Sequence, residues 1–341
     1  MIDRRLQVLR IVDQLGTITA AAASLHLTPS AVSQQLRQLS HEMGIALLEP
    51  DGRRIRLTPA AHALLRHADD LAARWEQARG ELNAYAGEAG GMLRLSGFGS
   101  LFRTLLIPAS QRLRAVDPLL EVRILEVETA DSFQRLLTGD VDIAVTLPML
   151  DGPTADDPRF EQQPLQDVPH DLLVPRDHPL AGETDVPLER LAHECWILPE
   201  QGSCDQYDLV SVVCSTAGFT PRVAHNARDW AATFALVEAG YGVCIKPRTV
   251  PVEQGLAVVQ VPLRAPVPRR RLLTTTRRGS RGQRPIALGL DALAAAASAS
   301  CQWTAPDGGT TPTQATTTPP RATTPRATPP RATTPRATPP R

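Results

Sequence analysis

The residues best suited to a binding chemistry lie on one face of a short segment that Thr28 and Pro29 begin. A threonine hydroxyl can cap the first turn of a helix, and proline is favoured at the first helical position. The polar members of this face are Ser30, Ser33, Gln34 and Arg37. Gln and Arg can form paired hydrogen bonds to base edges, while Ser and Thr can bond bases or phosphates. This face therefore predicts contact with nucleic acid.

Cationic residues follow the polar face at a second place. Arg53 and Arg54 come directly after the turn dipeptide Asp51-Gly52, and apolar Ile55 and Leu57 alternate with Arg56. This pattern predicts a β-hairpin with its cations facing outward, where they can contact phosphates.

Two preceding helices are predicted to position the polar face. The first has an apolar face that consists of Leu6, Leu9, Val12 and Leu15. Gly16 can end it in a left-handed conformation. A second, alanine-rich helix runs from Thr17 to Leu27, and the third packs its apolar side inward through Ala31/Val32, Leu36 and Leu39. A short helix, a tight turn and a second helix with a polar outer face are typical of a helix-turn-helix.

A long helical pattern follows this unit. Apolar residues recur every seven positions in two series, Ala61, Ala68, Trp75, Leu82 and Leu64, Leu71, Ala78, Tyr85. Such a seam favours pairing with a second helix, and we expect self-dimerisation through it. The alternative is an amphipathic helix that packs on its own domain.

Composition sets the outer limits of these predictions. The chain has 341 residues, of which 42% are apolar and 21% charged, with 36 Lys and Arg against 36 Asp and Glu. These values exclude a collagen, a coiled-coil rod and a wholly disordered chain. No apolar run is long enough for a membrane span, and the N-terminus lacks the apolar stretch of a secretion signal, so we expect a cytoplasmic protein. Five cysteines spread thinly predict reduced thiols.

Beyond Gly90-Gly91 the chain alternates β-rich runs with helical stretches, which predicts α/β units with a mostly parallel sheet. In such folds small ligands bind beyond the carboxyl ends of strands, next to helix N-termini. Three polar segments are predicted at such ends: Ser96–Ser100, Pro199–Ser203 and Asn226. They suit a small polar metabolite such as a carboxylate.

The last part of the chain is different in composition. From Cys301 onward it consists mainly of Thr, Pro, Ala and Arg, with an arginine every five residues from Arg321 to Arg341. Such a segment buries too little apolar surface to fold, so residues 301–341 are predicted to be a disordered tail.

The residues from Gly16 to Leu36, with Gly44 and Gly52–Thr58, resemble the winged helix-turn-helix of LysR-type transcriptional regulators. The resemblance implies an all-α winged helix-turn-helix domain, a long linker helix and two Rossmann-like (periplasmic-binding-protein-like) α/β subdomains. The implied boundaries are 1–58 for the DNA-binding domain, 59–90 for the dimerising helix and 91–300 for the effector-binding domain. Subdomain I would cover about 91–167 and 265–300, and subdomain II 168–264.

The resemblance also implies a function. The chain would be a homodimer or homotetramer that binds a partly palindromic site in double-stranded DNA under control of a small-molecule effector. It would not be an enzyme, and no cofactor, metal or membrane is implied. The DNA contacts would be Thr28, Pro29, Ser30, Ser33, Gln34, Arg37, Arg53 and Arg54. The effector contacts would be Ser100, Thr129, Thr146, Gly202 and Ser203, to which the strand-end argument adds Asn226.

Three alternatives stay open. Cys195 and Cys204 have the spacing of the reactive pair in the peroxide-sensing branch of this family, although buried, inert thiols are the simpler interpretation. A cysteine hydrolase would pair a thiol with His170, His178 or His193. A solute-binding protein with an appended helix-turn-helix would no longer bind DNA. Lys246, the single lysine, is either a partner for an anionic ligand or a solvated strand-end residue.

Overall fold

The computed structural model describes residues 3–51, 54–86, 90–149 and 152–301. Its helices are α1 (Arg4–Leu15), α2 (Ile18–Ser24), α3 (Pro29–Met43), α4 (Pro59–Ala86), α5 (Ile107–Val116), α6 (Thr129–Thr138), α7 (Asp205–Thr216), α8 (Trp230–Glu238) and α9 (Arg284–Cys301). Its strands are β1 (Leu48–Asp51), β2 (Arg54–Leu57), β3 (Gly91–Gly97), β4 (Leu120–Glu126), β5 (Ile143–Thr146), β6 (Phe160–Pro175), β7 (Cys195–Leu198), β8 (Arg222–Asn226), β9 (Cys244–Pro247), β10 (Val258–Val261) and β11 (Arg269–Arg277). The predicted tail after Cys301 lies outside the described residues.

The first three helices form one unit because their ends are capped as the sequence predicts. Gly16 ends α1 with a φ of 67°, a left-handed conformation that costs glycine little. Thr17 and Thr28 cap α2 and α3 through their hydroxyls. The apolar faces of the three helices pack into one cluster around Leu9, Val12 and Leu36. β1 and β2 pair antiparallel beside them, as the predicted hairpin requires.

The long helix α4 has two differently packed halves. Ala61, Leu65 and Ala68 are buried in the core of the first three helices. Farther along, Leu71, Leu82 and Tyr85 are 58%, 61% and 91% exposed. The first half of the seam therefore packs on its own domain, whereas these three apolar side chains farther along stay exposed. Self-dimerisation through the seam stays a prediction.

Residues from Gly90 onward form two α/β lobes. In the first lobe, parallel strands β3, β4 and β5 lie between α5 and α9 on one face and α6 on the other. In the second lobe, β7 and β8 pair in parallel, and α7 and α8 pack through Val210 and Phe234 into two apolar clusters. β5 is buried at all four positions, which explains its apolar run, whereas β4 and β8 alternate with exposed positions.

Two long strands connect the lobes. β6 and β11 pair antiparallel from Phe160–Arg277 to Pro169–Arg269, and β6 continues into the second lobe, where it pairs with β9 and β10. The prediction of a mostly parallel sheet was wrong here, because β6 and β11 cross between the lobes in opposite directions. They therefore pair antiparallel with each other and with β5, β9 and β10. In the described part of the chain, no helix is both long and apolar enough to span a bilayer.

Candidate DNA interface and ligand cavity

The polar face of α3 begins with a well-formed helix cap. The Thr28 Oγ1 accepts a hydrogen bond from the Ala31 amide at 3.2 Å and lies 3.0 Å from the Ser30 Oγ. Pro29 occupies the first turn. The cap fixes the direction in which α3 leaves the turn after α2, and therefore the direction of its outer face.

The two faces of α3 separate as predicted. Val32, Leu36 and Leu39 are each at most 1% exposed. On the opposite side the exposed residues are Thr28, Pro29, Ser30, Gln34 and Arg37, with Ser33 half-buried. A helix that presents Gln and Arg on a solvated face can enter a major groove.

The charges around this face favour a polyanion. Glu42, the single acidic residue of α3, lies 2.7 Å from Arg5, whose hydrogen bond holds the pKa of that carboxyl below its usual range. Glu49 on the hairpin lies 2.5 Å from Arg56. Within the described residues Arg37 has no ion-pair partner. The nearby carboxylates are thus neutralised, while a guanidinium stays available.

The two wing arginines can be placed only in part. Arg54 begins β2 opposite Asp51, which puts it at the hairpin end away from the helices. Arg53 lies outside the described residues, and so does the side chain of Arg54. Their phosphate contacts therefore stay predictions from the sequence.

A second candidate site lies between the lobes, in a cavity of about 1050 Å³. The first lobe contributes the segment after β3, the segment after β4 and the outer side of α6. The second lobe contributes the ends of β7 and β8 and the first turns of α7 and α8. Both walls are thus made where strands end and helices begin, as the sequence predicts for an open α/β fold.

The floor of the cavity is an arginine on the connecting strand β11. Arg270 is only 6% exposed, lies over the Phe98 ring at 5.2 Å, and donates to the Gln206 Oε1 at 2.9 Å. Its guanidinium also lies 2.8 Å from the Asp205 carboxylate. Burial raises the pKa of Asp205 against the opposing pull of Arg270. The floor therefore holds a poorly solvated ion pair that joins β11 to α7.

One ion pair crosses the cavity from lobe to lobe. The Arg228 Nη2 donates to the Glu128 Oε1 at 2.5 Å, and the two residues precede α8 and α6 respectively. Their side chains are 59% and 32% exposed, so water can reach both. The pair joins the two walls in the conformation that the structure shows.

The structure brings only some of the predicted effector residues to the cavity. Ser100 and Asn226 line it, and the Asn226 amide donates to the Leu198 and Pro199 carbonyls at 3.4 Å. Thr146 is fully buried instead, because its hydroxyl pairs with Thr275 across β5 and β11 at 2.7 Å. Thr129, Gly202 and Ser203 also lie off the cavity wall.

Sequence reasoning missed the charged residues of the cavity, chiefly Glu128, Arg228 and Arg270. The first two lie at the starts of α6 and α8, so a search for helix starts could have suggested them. Arg270 lies in an arginine-rich run whose composition is typical of a solvated strand face. No local signal distinguishes it from its neighbours Arg269 and Arg271, because its burial depends on the second lobe.

The cysteine pair does not meet in this conformation. Cys195 begins β7, whereas Cys204 caps α7 beyond the other end of that strand. Four strand residues alone span roughly 10 Å, and a disulfide needs Cα atoms within ~7 Å. Burial raises the pKa of the Cys204 thiol, which disfavours its reactive form. The Cys195 sulfur accepts a hydrogen bond from Arg222 at 2.7 Å. Cys195 and Cys204 are both half-buried, so the prediction that they are buried is wrong, and their inertness stays a prediction.

Two bases are buried in the second lobe. His170 is fully buried, and burial together with the positive charge of Arg270 lowers its pKa to about 3. Lys246 is also fully buried and donates to the Pro247 and Val250 carbonyls at 3.2 and 2.6 Å. Burial lowers its pKa to about 8. The interpretation of Lys246 as a solvated strand-end residue was wrong, because the two carbonyls draw the ammonium group inward.

Comparison with known proteins covers both candidate sites. A family model described as "Bacterial regulatory helix-turn-helix protein, lysR family" matches residues 4–62, and one described as "LysR substrate binding domain" matches residues 86–298. The transcriptional regulator ShiR of Corynebacterium glutamicum is 31% identical over 227 residues, 66% of this chain and 75% of ShiR.

Two further similarities extend over most of the chain. The DNA-binding transcriptional dual regulator OxyR of Escherichia coli is 30% identical over 263 residues, 76% of this chain and 84% of OxyR. The structure of full-length CbnR complexed with its target DNA has a TM-score of 0.52 at 22% identity, and the match covers 87% of this chain and 100% of that one.

Proposed function

This chain belongs to the LysR family of DNA-binding transcriptional regulators, and from that premise we propose which of its residues contact DNA and effector. α3 lies in the major groove. Gln34 and Arg37 contact base edges, and Ser30 and Ser33 contact bases or phosphates. Thr28 and Pro29 fix the start of the helix, and Arg53 and Arg54 contact phosphates beside it.

The observation that carries this assignment is the exposed guanidinium of Arg37, which has no ion-pair partner among the described residues, on a helix whose single acid, Glu42, is paired with Arg5. Phosphates repel unpaired carboxylates, so neutralised Glu42 and Glu49 remove a barrier to close approach. Gln34 lies one turn before Arg37 on the same exposed side, within reach of successive base pairs.

Single alanine variants test the assignment. We expect Gln34→Ala and Arg37→Ala each to weaken binding to genomic fragments selected by the wild-type protein by roughly tenfold to a hundredfold, since a bidentate base contact is worth ~1–3 kcal/mol. Gln38→Ala is the matched control, because Gln38 is exposed on α3 but bonds Glu42. Unchanged footprints for both variants would remove α3 from the DNA contacts.

The cavity between the lobes binds the effector. A volume of about 1050 Å³ with polar groups on both walls suits a small polar metabolite such as a carboxylate. Ser100 and Asn226 support this assignment from opposite walls. Thr129 and Thr146 are buried at the start of α6 and the end of β5, and Gly202 and Ser203 lie in the loop between β7 and α7. Their effector contacts would therefore require a different conformation of the cavity.

The regulator acts as a homodimer or homotetramer. The exposed half of the α4 seam supports this proposal, since Leu71, Trp75, Leu82 and Tyr85 repeat at coiled-coil spacing on a helix that has no partner for them within the described chain. A symmetric dimer places two copies of α3 on a partly palindromic DNA site.

A further inference from the structure

The linker helix α4 is attached to the first lobe by a buried charged contact in its second half. Glu76 of α4 lies with its Oε1 3.4 Å from the Arg277 Nε, and its Oε2 accepts from the Gln283 Nε2 at 2.6 Å. The side chains of Glu76 and Arg277 are each 13% exposed. Removing one partner of a pair so shielded from water leaves an uncompensated charge, which costs more than breaking a surface ion pair.

Arg277 is held equally firmly on the side of the lobe. Its Nη1 donates to the carbonyls of Leu136 and Val141 at 3.0 and 2.7 Å, and its Nη2 lies 3.1 Å from the Asp142 Oδ1. The guanidinium thus spans the end of α6, the start of β5 and the linker helix. Lysine cannot replace it, because an ammonium group has no planar fork to make these contacts together.

The backbones also approach closely at this place. Gly279 follows β11 with a φ of +81°, and a Cβ atom there would lie 2.3 Å from the carbonyl oxygen of Ala73 in α4. The position therefore requires glycine for both its conformation and its proximity. The loop after β11 and the helix fit each other as a preformed joint.

The strand that ends in this joint begins at the floor of the ligand cavity. β11 runs from Arg269 to Arg277, and Arg270 near its start binds Asp205 and Gln206 of α7 in the other lobe. Seven residue steps at ~3.3 Å separate the two arginines by about 23 Å. β11 pairs with β6 on both sides of one register shift at Leu272/Leu273, and with β5 from Leu273 to Thr276, so backbone hydrogen bonds hold it on both edges near the joint.

We propose that Arg277 is the positioning residue through which the cavity controls the linker helix. When the second lobe moves, it displaces Arg270, and β11 moves with it. At the other end of β11, Arg277 contacts Glu76 and Asp142 and thereby changes the direction of α4. The direction of α4 sets the placement of the paired winged helices. This mechanism rests on the proposed function of the cavity, and it adds the intrachain route by which occupancy reaches DNA.

Hydrogen–deuterium exchange on the full chain tests the joint. In Arg277→Lys we expect the amides of residues 69–80 to exchange about tenfold faster than in the wild type. Arg278→Lys is the matched control, because Arg278 pairs with Asp70 on the same helix at 3.8 Å but both side chains are exposed. Unchanged exchange in Arg277→Lys overturns the proposal. If that variant does not fold by circular dichroism, Glu76→Gln removes the same contact from the helix side and carries the same expectation.

A double-mutant cycle tests whether a change at the cavity floor reaches the α4 joint along β11. A merely structural role of Arg277 would not produce such coupling. Asp205→Asn removes the charge that Arg270 faces at the cavity floor, about 23 Å from the joint by the same strand count. We expect it to change the exchange of residues 69–80 by about threefold in the wild-type background and not at all in Arg277→Lys. No change in the wild-type background, or an equal change in both, overturns the route along β11.

DNA binding separates this inference from the proposed function. With genomic fragments selected by the wild-type protein as the probe, we expect Arg277→Lys to keep half-site affinity within about threefold but to change the bend angle in a circular-permutation gel. If Arg277→Lys binds DNA with an unchanged bend angle, this inference is wrong and the proposed function stands. If the wild-type chain selects no DNA fragments, the proposed function is wrong.

Discussion

His170 gives the second lobe a built-in sensitivity to acid. The neutral imidazole is fully buried beside the positive charges of Arg270 and Lys246, and its pKa is about 3 in the folded chain against an ordinary value of 6.5. The unfolded chain therefore binds a proton between these two values that the folded chain does not. The free energy of unfolding therefore has its full value above pH 6.5. It decreases as the pH falls from 6.5 toward 3, because protonation stabilises only the unfolded chain.

We expect His170→Gln to remove part of this pH dependence. Relative to the variant, the wild type should lose up to about 1.4 kcal/mol of unfolding free energy for each pH unit below 6.5. Urea unfolding at pH 7.5, 6 and 5 measures the difference, and His193→Gln, at an exposed position of the same lobe, is the control. Parallel wild-type and His170→Gln curves across this range would show that the buried imidazole contributes nothing to acid sensitivity.

At the residue scale the sequence could predict outer faces but not buried charges. Gln34 and Arg37 follow from helical spacing, because the apolar residues of α3 define where its solvated side must be. Arg270 and Lys246 do not follow from spacing. Arg270 lies between two other arginines, and Lys246 ends a short apolar run, where a lysine is usually solvated. Their burial comes from elements far away in sequence, α7 for Arg270 and the Val250 carbonyl for Lys246.

The helix α4 is the element on which assembly depends. Its second half exposes Leu71 and Leu82 at 58% and 61%, as well as Trp75 and Tyr85. Exposed large apolar residues at seven-residue spacing favour burial against a second helix, with ~25 cal/mol gained for each Å² of apolar surface removed from water.

We expect Leu82→Asp to shift the assembly toward monomers, because the carboxylate would have to be desolvated at the centre of the helix pair. Sedimentation equilibrium should show the dimer dissociation constant rise by at least tenfold. Asn83→Asp adds the same charge at the next, exposed position and should leave the constant within about twofold. A monomeric wild type, or equal effects of the two variants, would place the dimer contact elsewhere.

At the element scale the caps were the most dependable signal in the sequence. Thr28 with Pro29 and the glycine at position 16 predict the ends that the structure shows, because capping is a local interaction of neighbouring residues. The division of α4 could not be predicted in the same way. Ala61 and Leu82 belong to one heptad series, and only the position of the first three helices decides which of them is covered.

At the scale of the whole molecule, the pair Arg228–Glu128 joins the two lobes across the cavity and therefore depends directly on how far they close. Both side chains are partly exposed, so the pair stabilises the closed arrangement by at most ~1 kcal/mol, a factor of about five. A ligand that binds only the closed cavity has a higher apparent affinity when this pair is present, because the pair increases the population of the closed form before the ligand binds.

Thermal-shift titration of the full chain with carboxylates from acetate to citrate measures this contribution. For a carboxylate that raises the melting temperature, we expect Arg228→Ala and Glu128→Gln to weaken apparent affinity equally, by up to about fivefold, because each breaks the same closing contact. Opposite effects would contradict a closing role: a ligand bound directly to Arg228 loses affinity in Arg228→Ala but gains it in Glu128→Gln, where its competitor for the guanidinium is gone. Equal losses instead show that closure between the lobes, rather than a local charge contact, sets the affinity of this cavity.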